Sequence, residues 1–556
     1  MTAAGSATGA IPPRPSRWIA VACGAALAIF GAALAYATWQ ARQGRPTVHD
    51  EFAYLFQART LLAGRVAFPS PPLPEFFESM HLLVVPTYSA KYFPGHALLL
   101  APFVCIGLPW LYSLFALGGA AALLFAILRS LNAGLLASAA AAAVFAASGR
   151  ALFVWSSYLS HPTAALCALG GFYCAARLSR PASLAGTPPV AASTSPVARQ
   201  LRWAVGLGAC AGLAALTRPY CGVALAAAGV AAIVSSAAPR AARRDLRRIL
   251  IAFSVPLLAA AALGLGYCKA TTGSFTTPPW SLYARQYTPA DGPGIGAVQS
   301  EPPLRALPPH LAAVGAAFEQ GRRSYGWRQV GLKFWRQVAQ LEGFASSAFV
   351  IALAAVGALL LTQALLAPLV FGLVLFLLQL GFHADPGYYL FEAWPAVALL
   401  AGWGLHRTIA ALAGLKSRPL RLASAAALGS IGLWIAVACA DGVREVQAFG
   451  SSTADLYARV DRLLAPARLQ RSLVFIKYPP HWSGGDDLTQ NLPDLRKATL
   501  VLANDRGQDD RRLIEALPDR APFRLDLAGP RLERLGAAGS PLDRLEDTGR
   551  RGTSPR

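Results

Sequence analysis

Three ionisable residues stand side by side in the stretch VHDEFAYLFQARTLLAGRV (48–66), which follows a long apolar run. Charge at the edge of a bilayer costs free energy, so His49, Asp50 and Glu51 need a reason to be there, and chemistry is one. Two adjacent carboxylates at a low-dielectric boundary should raise the pKa of at least one, which suits proton transfer near neutral pH. The structural alternative is that Asp50 caps the following helix and Glu51 is a favourable first-turn charge.

The segment EFFESMH (75–81) holds a second set of residues that could do chemistry. If it is helical, Glu75, Glu78 and His81 share one face and could hold a divalent metal ion. The alternative, which we favour, is a helix at the membrane surface with Phe76 and Phe77 in lipid. The sequence therefore establishes no cofactor, and a metal ion is left as an open alternative.

The composition shows which kind of protein positions these residues. Of the 556 residues, 55% are hydrophobic and only 14% are charged, which is too apolar for a soluble protein. The formal charge of +22 is spread over short clusters between apolar runs, a pattern typical of cytoplasmic membrane loops and not of a nucleic-acid surface. The eight cysteines lie in or beside apolar runs without CxxC spacing, so no disulfide framework is indicated.

About eleven apolar runs are long enough to cross a bilayer, each bounded by Arg, Pro or Gly. The first, 18–39, has Arg14 and Arg17 before it, which predicts that the chain starts on the cytoplasmic side. The apolar piece 96–108 is short and is predicted to be a re-entrant or interfacial helix. The other predicted spans are 110–128, 131–147, 161–176, 203–217, 220–237, 249–268, 344–361, 365–380, 395–412 and 422–440.

This order of spans assigns each loop to one side of the membrane. The basic stretches that fall inside are 179–202, 240–248 and 416–421, so the positive-inside rule supports the span count independently. The loops that fall outside are 40–95, 269–343 and the short HADPGYYLFEAW (383–394). The ionisable residues introduced above therefore lie on the outer side.

After residue 440 the apolar content falls, which predicts a small soluble module. The segments SLVFIKY (472–478) and ATLVLAN (498–504) are typical of strands, and DDRRLIEAL (509–517) has helical spacing. An odd number of spans that starts inside ends outside, so this α/β module is predicted to be extracytoplasmic. The predicted division is a cytoplasmic N-terminus 1–17, a mainly α, polytopic membrane domain 18–440, the module 441–538 and a disordered tail 539–556.

The order of features along the chain resembles the GT-C superfamily of membrane glycosyltransferases. After the first span come an outer DE pair with an aromatic helix, and then KYFPGHALLLAPF (91–103), which leads back into the membrane. The stretches SHPTAAL (160–166) and GLAALTRPY (212–220) and a late outer loop with His and Tyr complete the order. The chain resembles in particular the bacterial relatives of protein mannosyltransferases, the lipid A aminoarabinose transferase and Rgt-type galacturonosyltransferases, over about residues 18–412. It departs from them at Pro94-Gly95, where relatives often have two prolines.

The resemblance implies a GT-C fold and a hexosyl- or pentosyltransferase at the outer face of the bacterial inner membrane. It implies a sugar donor linked to polyprenyl phosphate and a lipid, glycan or protein acceptor. It also implies that an acidic residue of the first outer loop acts as a base or positions the acceptor. We predict that Asp50 is this base, and that Glu51 is its neighbour in the site or a contact for metal or acceptor.

Transfer from a lipid phosphate also needs cations for the leaving group. Lys91 and Arg218 are predicted phosphate ligands because each lies where a span meets the outside, and Arg59 is a third candidate two turns or so along the helix from Asp50. The alternatives are that Arg218 reaches lipid headgroups and that Arg59 is only solvated. The residues predicted to line the cavity or acceptor site are His81, His161, His383, Asp385 and Tyr388, and a structural role is the alternative for each histidine.

Two other classes of function compete with transfer. A transporter or flippase for a lipid or sugar would show ionisable residues near mid-membrane and repeated halves. Here the charged residues concentrate in loops and at the ends of spans, and no repeated halves are visible. A chain that has lost activity and serves as a scaffold through its outer module is the third alternative.

Overall fold

The computed structural model shows a polytopic helical bundle that carries outer loops and a carboxy-terminal sheet. It describes residues 16–179, 196–237, 243–299, 301–413, isolated positions between 429 and 447, 455–468, 470–480, 482, 487–536 and 541–545. The helices are α1 (Arg17–Ala41), α2 (His49–Leu62), α3 (Gly95–Cys105), α4 (Leu111–Ser130), α5 (Leu135–Ala147), α6 (Gly149–Trp155), α7 (His161–Leu178), α8 (Pro196–Thr217), α9 (Pro219–Ala237), α10 (Arg243–Thr272), α11 (Pro279–Tyr287), α12 (Pro309–Arg323), α13 (Trp327–Ala345), α14 (Ala348–Leu359), α15 (Leu366–Leu380) and α16 (Trp394–Ala413).

Within the described residues, 5 helices are long and apolar enough to cross a membrane, or up to 7 if each of two bent pairs is one span. The bent pairs are α5 with α6, at 69°, and α13 with α14, at 103°. Every predicted span except the last coincides with a helix, and α3 is short, as predicted. The last span, 422–440, and the basic cluster 416–421 fall largely outside the described residues, as do most of 1–17 and the end of the tail.

Small residues bring several helices into backbone contact. A Cβ atom on Gly357 of α14 would lie 2.0 Å from the carbonyl oxygen of Leu400 on α16. The reverse holds for Gly404, whose Cβ would lie 2.0 Å from the carbonyl oxygen of Leu353. Close approach through small residues is how membrane helices gain packing energy in the absence of a hydrophobic driving force. These glycines therefore fix α14 against α16.

The carboxy-terminal module is a five-stranded sheet in the order β5-β4-β6-β7-β8. Strand β4 pairs in parallel with β5 and β6, while β6, β7 and β8 pair antiparallel. The strands predicted in 472–478 and 498–504 and the helix predicted in 509–517 are confirmed. The last strand lies in the stretch predicted to be a disordered tail, so the module extends further than the sequence indicated. The bounds are β4 (Ser472–Lys477), β5 (Leu500–Asn504), β6 (Ala521–Asp526), β7 (Arg531–Leu535), β8 (Pro541–Leu545) and a short helix, Asp510–Ala516.

The first outer loop folds against this module. It forms a small sheet in the order β1-β3-β2, from β1 (Phe68–Pro69), β2 (Leu82–Leu83) and β3 (Thr87–Ala90). The helix predicted over 75–81 is wrong, because only a single 3-10 turn, Pro74–Phe76, forms there. Phe76 and Phe77 are fully buried in a core shared with Leu473 and Phe475 of the module. They face the module and not lipid, because the module covers them.

The amino end of α2 is held by Glu51 and not by Asp50. Helix α2 begins at His49, and the carboxylate of Glu51 accepts hydrogen bonds from the backbone of Thr47 at 2.8 Å and of Val48 at 3.1 Å. It also forms an ion pair of 2.5 Å with Arg42, in which both side chains are 0% exposed. The predicted capping role of Asp50 is therefore wrong, because Glu51 already satisfies the free backbone donors.

Glu51→Gln should destabilise the protein by about 3 to 5 kcal/mol, because it leaves the buried guanidinium of Arg42 without its counter-charge. The matched control is Asp461→Asn, which removes ion pairs with Arg45 and Arg468; the side chains of the two arginines are 34% and 50% exposed, and that of Asp461 is 37% exposed. An exposed pair of this kind contributes less than about 1 kcal/mol. Denaturant titration of both variants in detergent measures the difference, and equal small losses would contradict the structural role of Glu51.

Candidate functional site

A cavity of about 730 Å³ opens where α2, the first outer loop and the amino end of α7 meet. Most of the residues predicted for the site lie on its wall: Asp50, His81, Lys91, His161, Arg218, His383, Asp385 and Tyr388. Further polar residues that the sequence did not indicate also line it: Tyr54, Tyr92, Tyr283, Asp291 and Tyr389. Residues from loops more than 300 positions apart thus converge on one space.

Asp50 projects from the first turn of α2 into this cavity. One carboxylate oxygen accepts a short hydrogen bond from the Tyr92 hydroxyl, and the other lies 3.5 Å from Nε2 of His81. The Tyr92 ring stacks on Tyr54, with ring centroids 4.5 Å apart, and the Tyr54 hydroxyl donates to Ser160 Oγ at 2.7 Å. The Asp50 side chain is 27% exposed, so it is held in place and still open to the cavity.

The surroundings of Asp50 stabilise its ionised form. Burial alone would raise its pKa, but the His81 imidazole, through its charge once it is protonated and through its hydrogen bond, the charge of Lys91 and the hydrogen bond of Tyr92 together hold the pKa well below its usual value. The sequence predicted a raised pKa for at least one of the two adjacent carboxylates, Asp50 and Glu51. That prediction is wrong for Asp50, because successive helix residues point in different directions and Glu51 faces Arg42 instead.

His81 sits at a strained point of the outer loop. Its backbone has φ of 65°, in the left-handed region that a non-glycine residue rarely adopts. Its backbone N–H donates to the Tyr283 hydroxyl at 3.3 Å, and its carbonyl accepts from the backbone of Lys91 at 3.0 Å. Such a conformation persists only where the surroundings fix it, and residues of this kind concentrate at functional sites.

Lys91 is a cation among aromatic rings. Its ammonium lies 4.8 Å from the centre of the Tyr283 ring and 5.5 Å from that of Tyr92. Burial lowers its pKa, while the charges of Asp50 and Asp291 counter that shift. The ammonium therefore lies in the field of two carboxylates on different parts of the cavity wall.

Arg218 belongs to a buried charge cluster. Its Nε lies 2.6 Å from the carboxylate of Glu392, which also lies 2.8 Å from Nδ1 of His161. Its Nη1 donates to Ser160 Oγ at 3.3 Å, and its guanidinium lies over the Tyr389 ring. Glu392 is 0% exposed and Arg218 is 20% exposed. The guanidinium is thus anchored by an acid behind it and reaches the cavity wall.

The far wall of the cavity carries its own acids. Nε2 of His383 lies 3.6 Å from the carboxylate of Asp291, and burial raises the pKa of Asp291 and lowers that of His383. Asp385 accepts a short hydrogen bond from Gln340. Tyr388 lies edge-on to the His161 ring, with centroids 5.2 Å apart. The late outer loop therefore lies over the same space as α2, in line with the sequence-based prediction.

Four of the predicted residues do not line the cavity. Glu51 is buried beneath it, and the Arg59 side chain is exposed elsewhere on α2. Glu78 binds Arg305 and the Tyr287 hydroxyl, whereas Glu75 pairs with Arg512 of the module. The proposed metal set of Glu75, Glu78 and His81 is therefore split among three places, because the helix that would have aligned them is absent. No group of three His, Cys, Asp or Glu side chains in the described part of the chain could hold a metal ion.

The residues that were missed carry only weak signals in the sequence. Glu392 is an acid directly before an apolar run, in YYLFEAW, which is costly unless a cation pairs with it. Arg218 stands at an equivalent boundary, so opposite charges at two span ends could have been matched. Asp291 and the tyrosines carry no distinctive spacing, and only the fold brings them to the site.

Comparison with known proteins places the chain among particular solved structures. No protein-family model matches the sequence, and no curated protein matches it. The chain is similar to ArnT from Cupriavidus metallidurans bound to undecaprenyl phosphate, with 15% identity and a TM-score of 0.45 over 92% of this chain and 89% of that chain. The chain is also similar to the oligosaccharyltransferase of Archaeoglobus fulgidus in the apo form, with 13% identity and a TM-score of 0.45 over 84% of this chain and 64% of that chain. A third similar structure is AglB from Archaeoglobus fulgidus in complex with an inhibitory peptide and a dolichol-phosphate. Its identity is 13% and its TM-score is 0.44, over 91% of this chain and 70% of that chain.

At TM-scores below 0.5 and identities of 13% to 15%, the similarity assigns no substrate and no residue role to this chain. Those assignments depend on its own side chains.

The acid sensitivity of the fold should depend on His81. Burial and the charge of Lys91 lower its pKa to about 4, from 6.5 for a free side chain. The unfolded chain therefore binds a proton first as the pH falls. The contribution of His81 to the free energy of unfolding is fully present above a pH of about 6.5. It falls as the pH drops to about 4, by about 3 kcal/mol in total.

His81→Gln should remove this share of the pH dependence. The measurement is a denaturant titration in detergent at a pH of about 7.5 and again at about 4.5, with the variant losing about 2.5 kcal/mol less than the wild type between them. The same loss in both proteins would show that the His81 imidazole is not held neutral by the fold.

Proposed function

We propose that the protein is a membrane glycosyltransferase that moves a sugar from a polyprenyl-phosphate-linked donor to a hydroxyl of a lipid, glycan or protein. The observation that carries this proposal is the meeting of one ionised carboxylate, Asp50, with two cations, Lys91 and Arg218, in one cavity. Transfer of this type needs a proton acceptor for the acceptor hydroxyl and positive charge for the departing phosphate. The cavity wall supplies both.

Asp50 acts as the general base in this proposal. The acceptor oxygen attacks the anomeric carbon, its proton passes to the Asp50 carboxylate, and the bond between that carbon and the phosphate oxygen breaks. Because the pKa of Asp50 is lowered, the carboxylate is ionised at neutral pH and ready to accept. A base of low pKa takes the proton late, once the attacking hydroxyl has become acidic. Tyr92 and His81 fix the direction in which the carboxylate points.

Lys91 and Arg218 are the proposed ligands of the donor phosphate. A phosphate group at a bilayer edge needs compensating cations, and a guanidinium offers paired donors in a fixed plane. Glu392 binds Arg218 through Nε, so the ion pair orients the guanidinium with Nη1 at the cavity wall beside Ser160. The tyrosine rings around the two cations supply flat apolar faces with polar ends, which suit a sugar.

The reaction is proposed to occur on the extracytoplasmic face of a bacterial inner membrane. The first outer loop and the carboxy-terminal module share one core, so they lie on the same side of the bundle as the cavity. The positive-inside pattern of the sequence predicts that this side is outside and that the N-terminus is cytoplasmic. The order of predicted spans assigns both the loop and the module to that side.

Asp50→Asn should abolish transfer and leave donor binding intact. The amide keeps the size of the side chain and can accept from Tyr92, but it cannot take a proton, so the rate should fall by about 10²- to 10⁴-fold. The assay incubates purified protein with polyprenyl-phosphate sugars and follows the products by mass spectrometry. Glu75→Gln, in the same outer loop but away from the cavity, is the control and should transfer normally. Near-normal turnover of Asp50→Asn would remove Asp50 from the mechanism.

Substitution of Arg218 tests the phosphate site. Arg218→Ala should weaken polyprenyl-phosphate affinity in nanodiscs by about 10-fold or more, and Arg218→Lys by less, because Lys keeps the charge and loses only the planar fork. Arg59→Ala is the matched control, since this arginine lies on α2 with an exposed side chain away from the cavity. Stability is measured alongside, because Arg218→Ala also leaves Glu392 unpaired. Wild-type affinity in both Arg218 variants would exclude Arg218 as a phosphate ligand.

A further inference from the structure

The loop 78–81 joins the carboxy-terminal module to the proposed base. At its end, His81 lies 3.5 Å from the carboxylate of Asp50. At its start, the backbone carbonyl of Glu78 accepts a hydrogen bond of 2.8 Å from the side chain of Asn504, on strand β5. A chain of contacts therefore runs from the sheet of the module to the cavity.

Asp487 of the module makes the central contacts to this loop. One of its carboxylate oxygens accepts from Ser79 Oγ at 2.7 Å and from the backbone N–H of Met80 at 2.8 Å. The other accepts from the backbone of Thr489 at 2.9 Å, and Nε2 of His310 lies 3.9 Å away. Asp487 is almost fully buried. Burial of a carboxylate costs free energy unless hydrogen bonds compensate for the lost water. Two of the hydrogen bonds that compensate Asp487 come from the loop.

The loop needs such support because of its own conformation. It has no regular secondary structure between the turn at 74–76 and strand β2, and His81 holds a left-handed backbone. The side chain of Glu78 forms an ion pair of 2.5 Å with Arg305, a residue of the other large outer loop. Tyr283 and Lys91 hold the backbone of His81 itself, and the bonds from Asp487 hold the two residues directly before it, Ser79 and Met80.

We propose that Asp487 is a positioning residue for the transfer reaction, which holds Ser79 and Met80 so that His81 stays against Asp50. The carboxy-terminal module is then a part of the transferase site and not an appendage. This inference rests on the proposed function, since it assigns Asp487 a role through the proposed base. Asp487 itself does not line the cavity and touches no reacting atom.

The test compares three variants in the full-length protein. Asp487→Ala removes all the acceptor oxygens. Asp487→Asn keeps one oxygen that can accept from Ser79 and Met80. Asp519→Asn is the matched control, because this residue lies on the same module in an ion pair with Arg471 whose side chains are both 50% exposed.

Two readouts are measured for each variant. The first is the rate of transfer, separated into kcat and the donor KM, with the acid side of the pH profile recorded. The second is hydrogen exchange of the peptide that contains Met80, whose N–H is bonded to Asp487, together with exchange in β4 and β5 as a check that the module stays folded. The second readout needs no activity.

Asp487→Ala should exchange faster at Met80, keep β4 and β5 protected and lose about 10- to 100-fold in kcat with little change in donor KM. Asp487→Asn should recover most of the rate, and Asp519→Asn should match the wild type. Unchanged exchange at Met80, or faster exchange with wild-type kcat, would overturn the positioning role. If the wild type transfers no sugar from any polyprenyl-phosphate donor, the proposed function is wrong. The positioning role of Asp487 in that reaction is then wrong as well, whatever the exchange at Met80. A module that unfolds in Asp487→Ala leaves the decision to Asp487→Asn, whose kcat should then fall between those of the wild type and Asp50→Asn.

Discussion

The buried carboxylate of Glu51 is the constraint on which the outer half of the molecule depends. It joins the end of α1, through Arg42, to the first turn of α2 and to the backbone of Tyr158 between α6 and α7. Two neighbouring segments and a third that is 107 residues away in sequence thus meet at one fully buried charge. Since a lone buried charge is strongly unfavourable, each segment is held where the charge is satisfied. The cavity lies above this junction, so the residues of its wall that belong to these segments are held in fixed positions relative to one another.

Adjacent carboxylates take opposite roles because a helix turns between them. Glu51 faces inward and is fully paired, whereas Asp50, one residue earlier, faces the cavity beside Tyr92 and His81. The helix thereby places a structural anchor next to a group that is open to solvent. The rigidity of the first contributes to the fixed direction of the second, which is what a positioned proton acceptor requires. Sequence adjacency here reflects mechanical support and not shared chemistry.

The part of the fold that depends on local pattern could be predicted from the sequence. Long apolar runs predicted the helices, and short β-branched runs predicted β4 and β5, because periodicity and length are properties of a segment by itself. The convergence of Asp50, Lys91, Arg218 and the late outer loop was expected only from the resemblance to a known family and not from local pattern. The rest depends on tertiary contacts. Phe76 and Phe77 looked exposed to lipid because nothing nearby in sequence indicated the module that buries them.

The site was harder to predict for the same reason. The metal set failed because its spacing had meaning only on a helix, and the 75–81 segment is a loop. The pKa of Asp50 was misjudged because its neighbour in sequence is not its neighbour in space. Glu392 escaped notice because its partner, Arg218, lies on a different helix boundary. In each case the missing information was which groups face each other across the fold.

The shared core of the first outer loop and the module has a consequence for how the protein is made. Ser79 and its partner Asp487 are 408 residues apart, so the loop leaves the ribosome long before the strands that cover it. At a synthesis rate of about 5 to 20 residues per second, this interval is about 20 to 80 seconds. During that time Phe76 and Phe77 have no partner and the segment before His81 is unsupported. The support of the cavity wall is therefore completed last, and a chain that ends before the module leaves an aromatic surface uncovered.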